Sequence, residues 1–503
     1  MPRRRFRSLR RRMRPATGSP TMGANETGRL AGEREDAVPS ARDRNYAMAL
    51  LFAAMVLDYA DRQVVSVLLP AFKQSLQLSL VQASIVSGLA FSLFFAFAGI
   101  PLGRIADRSN RRNLVAAGTA LWSLATVGCG LSNSFWTLFA SRMAVGVGEA
   151  CLMPALASLL ADYYAPDQRG RAVNFVQTGA PLGALVAMIG GGWLLTWFDT
   201  SGILVRLGAP LESWQAVFLT LGGPGVIVAL LFLAMKEPPR REPATSSDHD
   251  GSGFLHTVRR HPGAFVGIFG LQTLVTMASY AVLTWAPTIF ITAYGKSAGE
   301  AGTILGLMLV VCGIGAYLVS GFTSDVLMRW RPRYGRVFMP GVILPIGVAG
   351  FAGLYFSRDL ATSTVLLAVG LFIAALAAGS AVPSLQAIVP GRQRGMAIAT
   401  LTMATTFVGL GLAPIIVAFG ADVTGAMEGG LQQSLAAVCV TVLVAALGLW
   451  PFLIRSYAGA RNYEAEEFAD QPRGDPTPAG AAASGPTVDH HPRLAGAADG
   501  DGA

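Results

Sequence analysis

Twelve apolar segments, each long enough to cross a lipid bilayer, follow one another between residues 46 and 455. The hydrocarbon core of a bilayer is about 30 Å thick, so a helix needs about 20 predominantly apolar residues to cross it. Membrane-spanning strands are excluded because the segments are too long and do not alternate polar with apolar residues. The segments are 46–72, 81–103, 113–131, 135–161, 171–197, 213–235, 263–292, 300–324, 336–356, 362–389, 396–421 and 433–455. The sequence therefore predicts an all-α integral membrane protein with twelve transmembrane helices.

Lys and Arg residues are concentrated in alternate connections between these segments. Five alternate connections hold seventeen of them, whereas the six intervening connections hold four. Cytoplasmic connections of membrane proteins are enriched in Lys and Arg. The alternation predicts a multi-pass protein of the cell (inner) membrane with both termini in the cytoplasm. We interpret the net charge of +9 as this topology signal, because the basic residues do not form one face that could bind nucleic acid.

Polar segments divide the chain into two sets of six spans. Residues 236–262 are rich in Pro, Ser and charge, which is typical of a flexible cytoplasmic linker. This linker separates an N-terminal six-helix bundle, 46–235, from a C-terminal one, 263–455. Residues 1–45 are predicted to form a disordered basic arm, since the opening "MPRRRFRSLRRRMR" is not followed by the apolar core of a signal peptide. A second interpretation of this arm is that it binds anionic lipid headgroups. The Ala-, Gly- and Pro-rich residues 456–503 predict a disordered tail.

Short motifs recur at matching places in the two halves, with offsets of 218, 225 and 229 residues. They are a Gly-x-x-x-Asp after the second span of each half, an Arg-Gly after the fourth span, and a proline within the fourth span. The residues are Gly103 with Asp107 and Gly321 with Asp325, Arg169-Gly170 and Arg394-Gly395, and Pro154 and Pro383. Two similar six-helix halves are the plan of a transporter whose bundles rock about a central site.

The stretch "GRIADRSNRR", residues 103–112, resembles the loop signature of the major facilitator superfamily, Gly-x-x-x-Asp-Arg-x-Gly-Arg-Arg/Lys, between spans 2 and 3. Asn110 stands where glycine is usual, but Asn also tolerates a left-handed backbone. The resemblance covers essentially all of residues 46–455 and implies the major facilitator fold of two pseudo-symmetric six-helix bundles. It also implies a gate latch at this loop, where Gly103 would let two helices approach closely. The predicted gating residues are Gly103, Asp107, Arg108, Arg111, Arg112 and, in the second half, Asp325.

Four further stretches resemble the spinster-like branch of that superfamily. They are "DYADR" in span 1, "RMAVGVGEACLMP" in span 4 with "LADYYAPDQRGRA" after it, "GAPLGA" in span 5 and "TWAP" in span 7. The first of these does not separate the branch from organic-anion and sugar-acid symporters, which share a similar first helix. The resemblance implies that spans 1 and 4 both line a central cavity.

Five charged residues lie within spans 1 and 4: Asp58, Asp61, Arg62, Arg142 and Glu149. A charge near the bilayer centre costs about 3 kcal/mol on insertion scales, so these groups must face protein or water and must be partnered. Asp58 and Arg62 are four residues apart and share one face of a helix. If the five side chains meet, three carboxylates face two arginines, and one carboxylate is left without a counter-charge.

The carboxylate without a counter-charge predicts a proton-coupling site. Burial and neighbouring negative charge favour the protonated form of a carboxylate, so protonation of Asp61 or Glu149 would free Arg62 or Arg142 to bind substrate. The spinster-like branch more often has Asn at the position of Asp58. This additional carboxylate would be a second coupling site, favour a cationic substrate, or lie near water and have no role. The alternative is that Asp61 with Arg62, and Arg142 with Glu149, are structural ion pairs.

Neutral side chains are the remaining candidates for substrate recognition, since the second half has no acid or base near its midplane. For the aromatic candidates, a role in packing or at the lipid interface is the alternative. The cavity candidates are Gln177 of span 5 and, in the second half, Gln272, Tyr280, Trp285, Ser380, Ser384 and Gln386.

Other classes of function fit these residues poorly. The stretch "YGKSAG" lacks the earlier glycine of a phosphate loop, and nothing in the sequence suggests a nucleophile with its base. The four Cys residues lie in apolar segments and the five His residues in polar ones, so neither a metal nor another cofactor is expected. We expect a monomeric secondary active transporter, not an enzyme, that moves a small amphiphilic or anionic organic solute, lysolipid-like by preference, together with protons. A sugar-acid or organic-anion proton symporter, and an uncoupled facilitator or lipid flippase, are the alternatives.

Overall fold

A computed structural model describes residues 40–240, 251–330, 335–390, 393–423 and 430–469. All regular secondary structure within these ranges is helical. The described residues up to Arg461 belong to one compact unit, and a second unit begins at Asn462. The predicted basic arm lies outside the described residues except for its last residues, as do residues 241–250 of the predicted linker and most of the predicted tail.

Eleven helices in the described ranges are long and apolar enough to cross a membrane. A further helix, Ala41–Ser75, is just as long but carries Asp58, Asp61 and Arg62 at its middle. We number these twelve helices as spans 1 to 12. After Ala41–Ser75 they are Leu80–Ala106, Arg111–Gly130, Phe135–Tyr163, Asp167–Ser201, Ser213–Leu233, Pro262–Thr292, Ala298–Trp330, Arg336–Phe356, Leu360–Gln386, Arg394–Val423 and Gly430–Ala460. The predicted all-helical membrane fold is confirmed.

The first and last helices extend beyond their predicted limits. Span 1 begins at Ala41, before the predicted start at 46, because Ser40 caps it: the Ser40 Oγ accepts a hydrogen bond from the Asp43 amide at 3.1 Å. The last helix continues to Ala469, past the predicted end at 455. Its extension is rich in Ala and Glu, which favour helix, and the next proline is Pro472. The predicted tail is therefore helical in its first residues.

In the part of the chain that the structure describes, two short helices lie outside the spans. One, Ile203–Arg206, follows span 5, and the other, Gly251–Arg260, lies in the predicted linker. The linker is therefore partly helical where the structure describes it, although its Pro- and Ser-rich composition predicted a flexible chain.

Irregular helical turns recur in both halves of the chain. Spans 2, 5, 8 and 11 each contain a π-helical turn, and spans 4 and 10 are each interrupted near their middle. The π turns are Ile85–Leu89, Val186–Gly191, Leu309–Ile314 and Thr406–Leu412, and the interruptions follow Glu149 and Ala378. In each half the irregular helices are thus the second, fourth and fifth. This repetition is what two halves of common origin would retain.

The two halves are in close contact at the end opposite the 103–112 loop. Spans 5 and 8 approach so closely there that a Cβ atom added to Gly302 would lie 1.9 Å from the carbonyl oxygen of Met188. The indole nitrogen of Trp193 donates a hydrogen bond to the Thr303 hydroxyl at 3.0 Å. Glycine permits this backbone contact because it has no side chain. We call this contact the glycine seam.

Candidate functional site

Span 1 carries a buried ion pair at its middle. Arg62 and Asp58 have side chains that are only 8% and 5% exposed, and the Arg62 Nη2 lies 3.0 Å from the Asp58 Oδ2. The helix continues without interruption through both residues, so their four-residue spacing places them on one face. The sequence spacing put Arg62 within reach of Asp58, and in the structure the two side chains are in contact.

Glu149 of span 4 binds the same guanidinium. Its Oε2 accepts a hydrogen bond of 2.6 Å from the Arg62 Nη2, and its side chain is fully buried. Glu149 is the last residue of the helix before the interruption in span 4. Its Oε1 has no hydrogen-bond partner among the described residues. Arg62 therefore bridges spans 1 and 4 by sharing one nitrogen between two carboxylates.

Aromatic rings surround the Arg62 guanidinium on its remaining sides. Its central carbon lies 4.9 Å from the ring centre of Tyr59, 4.8 Å from that of Phe91 and 5.2 Å from that of Phe95. Rings at this distance attract a cation through their quadrupole and exclude water from it. We call Arg62 with Asp58, Glu149 and these three rings the Arg62 centre.

Asp61 points away from the Arg62 centre, toward span 3. Its Oδ2 accepts a hydrogen bond of 2.6 Å from the Thr126 hydroxyl, and its Oδ1 is buried without a partner in the described residues. Successive residues on a helix are rotated by about 100° from one another, so Asp61 cannot share the face of Arg62. The sequence offered an Asp61–Arg62 ion pair as an alternative, and the structure places these two side chains apart.

Arg142 is buried completely, yet its three guanidinium nitrogens have no hydrogen-bond partner among the described residues. Its guanidinium lies 5.4 Å from the ring centre of Phe91 and interacts electrostatically with Asp61. The pairing of Arg142 with Glu149, offered as the other structural ion pair, is replaced by the bond between Glu149 and Arg62. None of the five N–H donors of Arg142 is therefore hydrogen-bonded within the described residues.

The cavity candidates occupy different environments. Tyr280 of span 7 is half-buried and interacts electrostatically with Arg62 and Asp58 across the two halves. Gln272, also on span 7, has a buried side-chain oxygen without a partner in the described residues. Gln177 of span 5 is exposed and Gln386 half-buried. Tyr280 is thus the second-half candidate that the structure joins to the Arg62 centre.

Three other candidates satisfy their polar atoms within the protein. Trp285 is fully buried and its indole nitrogen donates to the Pro414 carbonyl at 3.0 Å. The Ser380 and Ser384 hydroxyls donate to carbonyl oxygens of their own helix, at 2.8 Å and 2.6 Å. In this conformation these residues pack the second half and present no free donor to a substrate.

The 103–112 loop is held by the chain that follows span 6. Arg111 is buried and forms ion pairs with Asp162 of span 4 and with Glu237, whose Oε1 lies 2.8 Å from the Arg111 Nε. The Glu237 Oε2 accepts a hydrogen bond of 2.8 Å from the Arg112 amide. Arg240 donates to two carbonyl oxygens of the loop region at 2.9 Å. The start of the predicted flexible linker is therefore bound to the loop, and we call these contacts the Glu237 latch.

Gly103 and Arg108, two other predicted gating residues, take no part in these contacts of the described residues. A Cβ atom added to Gly103 would have no atom within 4 Å, so the close helix approach expected there is absent. The reason is that the halves meet at the opposite end, in the glycine seam. Arg108 is exposed. The side chains of Asp107 and Asp325 lie outside the described part of the structure.

The buried carboxylates do not form a metal centre. Within the described residues, no group of three His, Cys, Asp or Glu side chains is placed to hold a metal ion. The carboxylates of the Arg62 centre instead face a guanidinium, which supplies positive charge without a cofactor.

Residues 51–389 match the sequence pattern of the Major Facilitator Superfamily. The chain belongs to this superfamily. It is 26% identical over 358 residues to an MFS-type efflux pump of Mycolicibacterium smegmatis (strain ATCC 700084 / mc(2)155), a match that covers 70% of this chain and 79% of the pump. It is 23% identical over 434 residues to a probable L-galactonate transporter of Escherichia coli (strain K12), covering 82% of this chain and 90% of that one.

A solved structure has the same fold as this chain. It is the crystal structure of a bacterial homolog of the human lysosomal transporter Spinster, in an inward-facing and unoccupied conformation. The TM-score is 0.71 at 24% identity, and the superposition covers 85% of this chain and 99% of that one. This member of the Major Facilitator Superfamily is therefore a multi-pass membrane transporter and not an enzyme.

Sequence reasoning did not identify Thr126, Glu237 or the rings around Arg62 as functional residues. Thr126 is one of many hydroxyl residues in apolar helices, and nothing in its neighbours sets it apart. Phe91 and Phe95 are four residues apart on span 2, which places them on one face, but such pairs are common in membrane helices. Glu237 was hidden by the polar composition of the segment that contains it.

Proposed function

We propose that this protein is a proton-coupled secondary active transporter that moves a small amphiphilic or anionic organic solute by alternating access. A lysolipid-like molecule is the favoured substrate. The protein acts in the cell (inner) membrane as a monomer of two six-helix bundles, 46–235 and 263–455, with both termini in the cytoplasm. The alternation of Lys- and Arg-rich connections supports this orientation.

The unequal charge count in the buried cluster is the observation that carries the proposal. Asp58 and Glu149 share the guanidinium of Arg62, so two negative groups oppose one positive group there. Burial disfavours an uncompensated charge, and protonation of one carboxylate removes it. A proton bound by Glu149 leaves Arg62 paired with Asp58 alone. Proton binding thus changes the link between spans 1 and 4.

The glycine seam supports alternating access. It closes the protein at the end opposite the 103–112 loop, and the positive-inside rule assigns that loop to the cytoplasm. Gln177 and Asn174, in the part of span 5 nearer the loop, are exposed. An inward-facing state is the conformation that fits these contacts, and separation of the seam would give the opposite one.

The surroundings of the two arginines support an amphiphilic anion as the substrate. The N–H donors of Arg142, which make no hydrogen bond within the described residues, suit a phosphate or a carboxylate. The rings of Tyr59, Phe91 and Phe95 lie nearby and favour an apolar portion of the same molecule. A sugar acid is the second candidate, because the probable L-galactonate transporter of E. coli is similar over most of its length.

Purified protein in liposomes with an imposed pH gradient tests the proposal. We expect the gradient to drive uptake of one or more compounds among lysophospholipids, sphingoid bases and sugar acids. Asp61→Asn and Glu149→Gln should weaken this uptake, whereas Glu300→Gln, at an exposed carboxylate, should leave it unchanged. Transport that ignores the gradient in all four proteins would mean an uncoupled facilitator or flippase and would overturn the coupling.

A further inference from the structure

The short helix Gly251–Arg260 folds back against the start of span 7. His261, with φ −125° and ψ 50°, separates the two helices. Phe254 lies eleven positions before Phe265, yet the centres of their rings are 5.9 Å apart. One unbroken helix would separate these residues by about 16 Å, because it rises about 1.5 Å per residue. The short helix therefore turns away from the axis of span 7 at His261, and we call it the surface helix.

Two contacts hold the surface helix at one boundary of the membrane. Only His261 separates its last residue from Pro262, where span 7 begins. The Thr257 hydroxyl donates a hydrogen bond of 2.8 Å to the Oε1 of Gln393, and span 11 begins at the next residue. Spans 7 and 11 are both odd-numbered, so they begin at the same boundary. The surface helix therefore runs along this boundary, which the positive-inside rule assigns to the cytoplasm.

One face of the surface helix packs on the protein and the opposite face is exposed. Phe254 and Val258 are four residues apart, so they share a face, and both pack against the buried hydrophobic core. The exposed face combines one apolar side chain with three that are basic. These exposed residues are Leu255, His256, Arg259 and Arg260. The surface helix is therefore amphipathic on the side that it turns away from the protein.

The positive charge of this face has no acid near it along the following chain. Residues 251–299 contain no Asp or Glu. Arg394 directly follows the Gln393 that is bonded to the surface helix, and it is also exposed. Arginines from two elements thus lie at the same boundary. Such a surface attracts an anionic partner.

We propose that the exposed face of the surface helix binds anionic phospholipid headgroups of the cytoplasmic leaflet. The guanidinium groups suit the phosphate of a headgroup, and Leu255 suits the boundary between headgroups and acyl chains. The cytoplasmic leaflet is negatively charged at its surface, so each arginine there strengthens binding about fivefold. A nucleic acid fits less well, because the positive charges are few and an apolar side chain lies among them. This inference rests on the proposed orientation of the protein and is independent of its substrate.

Fluorescence quenching in lipid nanodiscs tests this site in the full-length protein. The four native cysteines are buried, so a cysteine introduced by Leu255→Cys takes a bimane label selectively. Two kinds of nanodisc contain phosphatidylglycerol and phosphatidylcholine at the same ratio. In one kind the phosphatidylglycerol carries a nitroxide quencher near the top of its acyl chain, and in the other the phosphatidylcholine carries it. We expect at least tenfold stronger quenching per labelled molecule by phosphatidylglycerol.

Arg259→Gln should lower this preference about fivefold, because it removes one positive charge from the exposed face. Arg206→Gln is the matched control. Arg206 is likewise an exposed arginine at the end of a short helix, Ile203–Arg206, but it follows span 5 at the opposite boundary. Its substitution should leave the quenching unchanged. His256→Cys provides a second position for the label on the same face if Leu255→Cys does not fold.

Equal quenching by the two lipids would overturn the proposal, as would a preference for phosphatidylglycerol that Arg259→Gln leaves unchanged. Absence of quenching by either lipid would show that this face meets the aqueous phase, and it would also overturn the proposal. Loss of the preference on adding inorganic phosphate at constant ionic strength would indicate a site for free anions instead of lipids. These measurements involve no transport, so a failure of proton coupling would leave their result intact.

Discussion

At the residue scale, Thr126 determines which way Asp61 faces. Its hydroxyl lies 2.6 Å from the Asp61 Oδ2 and holds that carboxylate against span 3, away from Arg62. The sequence placed Asp58 within reach of Arg62, because residues four apart on one helix are neighbours. It could not predict the bonds of Asp61 to Thr126 or of Glu149 to Arg62, because these join residues 65 and 87 positions apart.

We expect Thr126→Val to destabilise the protein by about 2 kcal/mol, since it leaves a buried carboxylate without its hydrogen bond. Thr126→Ser keeps the hydroxyl and should therefore lose much less stability. Thermal unfolding of both variants in detergent at neutral pH measures the difference. Equal melting temperatures for Thr126→Val and the unaltered protein would show that this bond is not formed.

At the element scale, the proposed alternating access requires that the glycine seam between spans 5 and 8 stabilise the conformation in which these spans touch. The sequence predicted the spans themselves from apolar length, with ends that differ by several residues. It did not predict the π turns or the seam, because these depend on which helices meet, and a Gly in a membrane helix is too common to indicate a contact.

Gly302→Ala should shift the population toward the state in which spans 5 and 8 are apart. The new Cβ atom would lie 1.9 Å from the Met188 carbonyl oxygen, and overpacking of this kind costs about 1–3 kcal/mol. A shift of about 1.4 kcal/mol changes a population ratio tenfold. Distances between spin labels placed on either side of the glycine seam measure this shift in population. Gly313→Ala, on the same span with nothing within 4 Å, is the control and should leave the distances unchanged.

The Glu237 latch is a second contact between elements, and it joins the 103–112 loop to the chain after span 6. Glu237→Gln should lower the stability by about 1.5–3 kcal/mol, because buried Arg111 loses a charged partner. Lys236→Ala is the matched control: its ion pair with Asp43 is exposed, so about 0–1 kcal/mol is expected. Thermal unfolding measures the stability of both variants. A larger loss of stability for Lys236→Ala than for Glu237→Gln would contradict the latch.

At the scale of the whole molecule, spans 1 and 4 carry three carboxylates and two arginines near their middles, and Tyr280 of the second half interacts electrostatically with this cluster. The family fold and the charge count were predictable from the sequence, since both depend on residue types along the chain. The distribution of the charges could not be predicted. Arg62 serves two acids, and the Arg142 guanidinium has no hydrogen bond within the described part of the chain. That distribution depends on how spans 1, 3 and 4 pack.

Infrared titration of the purified protein measures most directly whether this cluster binds a proton. We predict that lowering the pH produces a carboxylic acid C=O band that Glu149→Gln or Asp61→Asn removes or reduces and that Glu300→Gln leaves unchanged. The reason is that burial favours the neutral form of the acid that has no counter-charge. A spectrum in which no band depends on Asp58, Asp61 or Glu149 across the pH range would contradict the account.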